Sequence, residues 1–343
     1  MTRIQFKHGY EHIISLENLL AAWQEFLSGK RSRKDVQEFE LYLMRNIIEL
    51  HEDLAKKTYK HSAYQAFNIS DPKPRSIHKA SVRDRLLHHA LYRKLYPFFD
   101  RVFTADSFSC RQGKGMHRGI DRFRAFARKV SCNHTKTAWV LKCDIRKFFA
   151  SVDQAVLAEI IRDYIPDKNI LALISEIVGS FSSTKKGVGL PLGNLTSQLL
   201  VNIYMNEFDQ YVKHRLKAKY YIRYADDFVI FSRDRDWLLG LISQMQEFLE
   251  KRLRLRLHPK KVSIKTIASG VDYLGWVHFP DHRVLRTTTK RRMVQGIRNK
   301  RGKKETVQSY LGVLSHGNAK KLTGRVQKFT ELVRERVGNK DGM

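Results

Sequence analysis

Asp226 and Asp227 stand side by side between two short runs of apolar β-formers, residues 220–224 and 228–231, and a third acid, Asp144, lies near the end of a separate apolar run at 139–145. Two adjacent carboxylates repel each other unless a cation neutralises them, so an acidic pair displayed at the turn of an apolar hairpin fits a divalent metal such as Mg²⁺. The alternative is a solvated acidic turn. Asp144 likewise reads either as an ordinary helix-capping acid or as a partner of the pair. If its strand and the hairpin belong to one antiparallel sheet, three acids converge. Carboxylates from two strands can bridge two ions roughly 3.5–4 Å apart, the arrangement that activates an attacking hydroxyl and stabilises a leaving pyrophosphate in phosphoryl transfer.

The elements that must position these acids are legible from periodicity. Leu16, Leu19, Leu20, Trp23 and Phe26 after Ser15, then Phe39, Leu43 and Ile47, predict an N-terminal region of amphipathic helices. Residues 69–77 turn β-like around Asp71, Pro72, Lys73, Pro74 and Arg75, a basic strand-loop-strand tip able to touch phosphates. A helix is expected over 83–96, and Gly113, Gly115 and Gly119 mark a basic turn. His88 and His89 fall in an apolar helical pattern and read as packed and hydrogen-bonded rather than as metal ligands. Asp153 is placed to cap a helix carrying Val156, Leu157, Ile160 and Ile161. A long helix is expected from Leu195 to about Leu216, another over 237–253, then a β segment and a hairpin at 273–279. Residues 286–304 hold nine Lys or Arg and no acid, a basic helical module.

Composition narrows the partner. The 343 residues carry 64 Lys and Arg against 34 Asp and Glu, a formal charge of +30 that attracts polyanions, nucleic acid first. No apolar run approaches the ~18 residues of a membrane span and no secretory leader pattern is present, so the expectation is a soluble intracellular protein. Cys110, Cys132 and Cys143 form no CxxC pair and the histidines fall in no zinc spacing, which argues against a disulfide framework or structural zinc.

These motifs resemble those of reverse transcriptases. YADD at 224–227 is similar to their metal-binding box, DIRKFFASV from Asp144 to their first acidic motif, GLPLGNLTSQ at 189–198 to the loop and helix that seat the incoming nucleotide, LHPKK with Lys261 to their lysine motif, and YLGW at 273–276 to their primer grip. The five occur in the family's order. RDRLLHHAL at 83–91, DSFSCRQGKGMHRGIDRF at 106–123 and the GNLTSQ form of the loop resemble, within the prokaryotic branch of group II intron and retron enzymes, those of diversity-generating retroelements. Group II intron enzymes usually show QG and SP in that loop, where this chain has Leu192-Gly193 and Ser197-Gln198.

The resemblance implies an α+β right-hand polymerase: helical fingers with a basic β tip at 1–135, palm at 136–159, a fingers/palm connection at 160–195, palm again at 196–280, and a short basic helical thumb at 281–343. It implies an RNA-directed DNA polymerase that copies a retroelement RNA from a DNA or RNA primer with dNTPs and two Mg²⁺ ions, or Mn²⁺, in the cytoplasm of a prokaryote or phage host, helped by a small basic accessory protein. Asp144, Asp226, Asp227 and the Ile145 carbonyl would hold metal, and Lys261 would protonate pyrophosphate, with neighbouring Lys260 an alternative. Lys73, Arg75, Leu192 and Gly193 would contact the nucleotide. Phe149 would exclude a 2′-hydroxyl, against simple packing beside Phe148. Tyr273, Leu274, Gly275 and Trp276 would form the primer grip. In diversity-generating elements the enzyme misincorporates opposite template adenines, which connects Leu192 and Arg75 to fidelity. The rival readings are a retron-like or antiphage-defence reverse transcriptase and a non-catalytic RNA-binding scaffold; Phe149 and YADD weigh against an RNA-synthesising polymerase.

Overall fold

The computed structural model describes residues 3–69 and 74–338, with side chains as far as 333. Four helices open the chain, α1 (Tyr10–Ile14), α2 (Leu16–Leu27), α3 (Lys34–Leu41) and α4 (Leu43–Ala55). Ser15 caps α2 by accepting from the Asn18 N–H, as its type and position predict. The second amphipathic segment is two helices, because Tyr42 leaves helical geometry at φ −120°, ψ 34°. The strands β1 (Gln65–Ile69) and β2 (Arg75–Lys79) pair antiparallel, and α5 (Val82–Val102) follows. This helix passes the expected end at Tyr96 and runs through Pro97. A proline in a helix interior costs about 3 kcal/mol, and Phe98, Phe99 and Phe103, buried beyond it, outweigh that cost by packing in the core.

α6 (Met116–Val130) comes next, and Gly119, expected in the preceding turn, lies inside it. A Cβ there would meet Leu274 Cδ1 at 3.0 Å, so this glycine serves close packing rather than a turn. The chain continues through β3 (Trp139–Asp144), α7 (Phe148–Ser151), α8 (Gln154–Arg162), α9 (Lys168–Gly179) and α10 (Leu195–Gln210), the last extended by a π-helical turn Tyr211–Arg215. Then come β4 (Tyr221–Tyr224), β5 (Asp227–Ser232), α11 (Arg235–Leu253), β6 (Ser263–Thr266), the meander β7 (Val271–Tyr273), β8 (Trp276–His278) and β9 (Arg283–Leu285), and the helices α12 (Thr287–Asn299), α13 (Lys304–Leu314) and α14 (Lys320–Gly338).

The central sheet is antiparallel in the order β4-β5-β3-β6. Side chains alternate across a strand, so each strand feeds two cores. Leu141, Cys143, Tyr221, Phe228 and Ile230 face a core shared with α1–α5 and α8–α11, where Trp23, Phe26, Phe99, Tyr204 and Phe208 are buried. Val140, Ile222, Val229 and Phe231 face a second core built from α6, the meander and the C-terminal helices, including Phe123, Tyr273, Trp276, Met293, Ile297 and Leu314. α6 therefore lies in this second core, against β4 and β5. His88 is packed as expected, stacked on His61 at 5.3 Å, but neither ring nitrogen has a hydrogen-bond partner.

Candidate active site

Asp144 ends β3 and Asp227 begins β5, and the register sets them opposite each other. Asp227 thus belongs to a strand; the turn itself is Ala225 and Asp226, between the paired residues Tyr224 and Asp227. Ala225 has φ +55°, a left-handed conformation that costs an L-residue about 1–2 kcal/mol. The Ile145 N–H donates to the Asp226 carbonyl at 3.1 Å, which ties the turn to the end of β3. All three acids therefore meet at one end of the sheet.

Burial raises the Asp227 carboxyl to about 7, with Asp144 and Asp226 adding repulsion and Lys142 and Arg286 opposing it. Asp226 is raised too, by burial and by Asp144, against the positive charges of Lys261 and Arg75. Asp227 Oδ1 is buried without a hydrogen-bond partner. A hard cation offered to these oxygens would relieve both the repulsion and the unmet acceptor, and carboxylate oxygens suit Mg²⁺. Lys261 meanwhile donates to both Asp144 oxygens, at 2.8 and 2.9 Å, so its ammonium neutralises that acid. Among the described residues no three acidic, histidine or cysteine side chains are grouped as an ion-holding set as they stand. Of the two candidate lysines, it is Lys261 that reaches Asp144; Lys260 is exposed, its backbone N–H on His258 Nδ1.

A cavity of about 300 Å³ opens beside the acids, lined by Asp144 and Asp227 and by Lys142, Lys261, Lys265 and Arg286. Lys142 Nζ donates to the Asp272 carbonyl at 2.7 Å and lies 3.6 Å from Asp227 Oδ2. Arg286 donates to the Asp272 carboxylate.

Apart from Lys73, the expected nucleotide-binding residues lie on β2, on the loop clipped to it and beside Phe148. Arg75 is exposed on β2 and near enough to lower Asp226, while Lys73 lies outside the described residues. His78 on β2 donates its N–H to the Leu192 carbonyl at 3.0 Å and accepts from Asn194 Nδ2 at 3.3 Å, which clips the 189–194 loop to the hairpin. Leu192 is half-buried, and Gly193 is exposed with φ +105°, a conformation that favours glycine. Phe149 is half-buried against Phe148, edge-on at 5.6 Å.

A match to the reverse transcriptase (RNA-dependent DNA polymerase) family covers residues 55–278. The chain belongs to that family. Among its relatives, protein YkfC of Escherichia coli (strain K12) is 26% identical over 260 residues, covering 64% of this chain and 66% of that protein. The group II intron-encoded protein LtrA of Lactococcus lactis subsp. cremoris is 22% identical over 363 residues, covering 84% of this chain and 58% of LtrA. The putative COX1/OXI3 intron 2 protein of Saccharomyces cerevisiae is 18% identical over 293 residues, covering 66% and 33%. The chain thus spans only a third to two thirds of the length of these relatives.

In this reverse transcriptase domain the 273–276 motif is a hairpin turn: Leu274 and Gly275, both at positive φ, join β7 to β8. Tyr273, Leu274 and Trp276 are buried in the second core, so Gly275 alone of the four is open to solvent. Sequence reasoning missed the polar network beneath the acidic turn. Arg223 and Asp209 are fully buried and paired, with Nε and Nη2 of the guanidinium each 2.7 Å from a carboxylate oxygen. The signal that could have found it was an arginine inside an otherwise apolar strand. Among the described residues no helix is long and apolar enough to cross a membrane.

Proposed function

We propose that the chain is an RNA-directed DNA polymerase whose active centre is the end of the central sheet where Asp144, Asp226 and Asp227 meet. The observation that carries this reading is the meeting of three acids at one sheet end, two raised by burial and repulsion, with Asp144 and Asp227 lining a lysine-rich cavity and the charge of Arg75 acting on Asp226. Asp144, Asp226 and Asp227, with the Ile145 carbonyl, would hold two Mg²⁺ or Mn²⁺ ions, which would take the place of the Lys261 ammonium at Asp144. When bound, the ions supply Lewis-acid activation of the primer 3′-hydroxyl and charge neutralisation at the leaving pyrophosphate.

The side chains do the rest. Lys261, freed from Asp144, is positioned to donate a proton to pyrophosphate. Arg75, with Lys73, grips triphosphate oxygens through charge-assisted hydrogen bonds. Phe149 presents its half-exposed ring beneath the ribose and selects dNTPs by excluding a 2′-hydroxyl. Lys142, Lys265 and Arg286 draw nucleic-acid phosphates into the cavity, and Gly275 offers backbone to the primer strand. The α1–α5 and β1–β2 region acts as fingers, the central sheet and meander as palm, and α12–α14 as a basic thumb. The hybrid is held through phosphates and groove shape, with strong salt dependence.

The finer reading is a diversity-generating retroelement enzyme, with a retroelement RNA template and a small accessory protein as partners. It is favoured by the aliphatic Leu192: its carbonyl is engaged by His78, and its side chain has no hydrogen bond to offer around the nascent base pair. The test is dNTP incorporation on a primed RNA with Mg²⁺, beside Asp226→Ala and NTP controls, followed by product sequencing. Acid-dependent DNA synthesis supports the polymerase; errors concentrated at template adenines, and reduced by Leu192→Gln, support the subtype. No synthesis with native RNA and accessory protein supplied would move a non-catalytic RNA-binding role to first place.

A further inference from the structure

Arg223 lies in β4, two residues before the strained Ala225, and all five guanidinium N–H groups are used. Nε and Nη2 form the two-pronged pair with Asp209; Nη2 also donates to Ser107 Oγ at 3.0 Å, and Nη1 donates to Asn202 Oδ1 at 3.2 Å and to the Ala225 carbonyl at 3.1 Å. Asp209 accepts in addition from the Tyr221 hydroxyl at 2.6 Å. The strand is pinned on its free edge as well: the Arg223 N–H donates to the Asp106 carbonyl, and the Phe108 N–H donates to the Arg223 carbonyl, both at 2.9 Å.

A buried ion pair is poor evidence of stability by itself, since apolar residues of like volume often serve as well. The contact that an apolar substitute cannot reproduce is the one to Ala225. Its carbonyl belongs to the peptide plane that leads into Asp226. Fixing that oxygen fixes the plane, and with it the direction in which Asp226 leaves the backbone.

We propose that Arg223 is a positioning residue: held by Asp209, Ser107 and Asn202, it locks the Ala225–Asp226 peptide so that Asp226 and Asp227 face Asp144. The inference rests on reading those acids as the metal-binding set. Lysine cannot replace it, because three donors at one nitrogen do not span a carboxylate fork and a carbonyl on the far side of it.

The experiment compares the parent chain with Arg223→Lys, with the paired Arg223→Met and Asp209→Leu, and with Ala225→Gly alone and in the Arg223→Lys background. Two readouts are taken: hydrogen exchange of residues 221–230, which needs no catalysis, and single-nucleotide incorporation across Mg²⁺ concentrations. In Arg223→Lys, exchange in 221–230 rises at least about tenfold while α2 and α5 are unchanged, half-saturation by Mg²⁺ rises about tenfold, and kcat falls about 100-fold. Ala225→Gly, which adopts φ +55° without strain, recovers a large part of both losses. Folded Arg223 variants whose exchange and Mg²⁺ half-saturation stay within twofold of the parent would overturn the proposal, as would failure of Ala225→Gly to rescue. Asp226→Ala separates the two levels: if it is inactive while the Arg223 variants match the parent, only this inference fails, and if it synthesises DNA at the parent rate, the reading of the acids fails and this inference with it.

Discussion

Gly317→Ala tests how the C-terminal helices are held against the sheet. Gly317 lies in the connection between α13 and α14, and a Cβ built on it would stand 2.0 Å from Trp276 Cζ3, 2.4 Å from Cη2 and 3.0 Å from Cε3. The indole cannot turn aside, because Trp276 is 1% exposed in the second core and Arg283 lies over its ring at 5.7 Å. One methyl must therefore push the α13–α14 connection off the β7–β8 hairpin. Overpacking of this kind costs about 1–3 kcal/mol, which converts to roughly a 5- to 150-fold larger population of the undocked C-terminal helices. Hydrogen exchange read by mass spectrometry reports that population in α13 and α14. The controls carry the opposite sign: Gly312 and Gly324 sit within α13 and α14, and an added methyl at either would meet nothing within 4 Å, so alanine there should slow exchange by stabilising the helices about 0.4–1 kcal/mol. The expected outcome for Gly317→Ala is faster exchange confined to the C-terminal helices, with shorter products per binding event. Unchanged exchange in α13 and α14 would refute the docking argument.

Lys261→Met should lower kcat by about 10²–10⁴, while Lys260→Met leaves it intact; equal effects of the two in single-turnover incorporation would sink the assignment. Gly193→Ala forces an L-residue to φ +105° and brings a Cβ within 2.9 Å of Ile77 Cγ2, so dNTP half-saturation in single-turnover incorporation should rise at least fivefold, by the ~1–2 kcal/mol of backbone strain. His88 is held down at about 3 by burial, with His61, His89 and Arg85 adding repulsion and Asp84 opposing. A neutral folded histidine with an ordinary unfolded one means that stability is full above about 6.5 and falls by up to ~1.4 kcal/mol per pH unit between there and about 3. Urea titrations across pH should show that slope and its reduction in His88→Leu.

Much of the site was legible in the residues alone. Apolar β-forming runs around Asp144 and the 226–227 pair set one acid at a strand end and the pair at a hairpin turn, and apolar stripes placed α2, α8 and α11 within a few residues of where they lie. Asp153 capping α8, through Oδ1 to the Ala155 and Val156 N–H groups, followed from its type and position. Such features are local: a few neighbouring residues dictate them. Pairing and burial are not local. Whether Lys260 or Lys261 reaches Asp144 depends on residues 256–261 running beside 144–146, where the Arg146 N–H meets the Arg256 carbonyl and the His258 N–H meets the Asp144 carbonyl. That Arg223 is buried depends on Asp209, 14 residues away along the chain, and on Ser107, 116 away, closing over it. α5 runs on through Pro97, against its local propensity, because aromatic packing outweighs the missing donor. By its own residue order the sequence determined which groups carry charge and where strands and helices begin. Only the tertiary structure decided which of those charges are desolvated and opposed, because burial and Coulomb energy depend on distances between segments far apart in the chain.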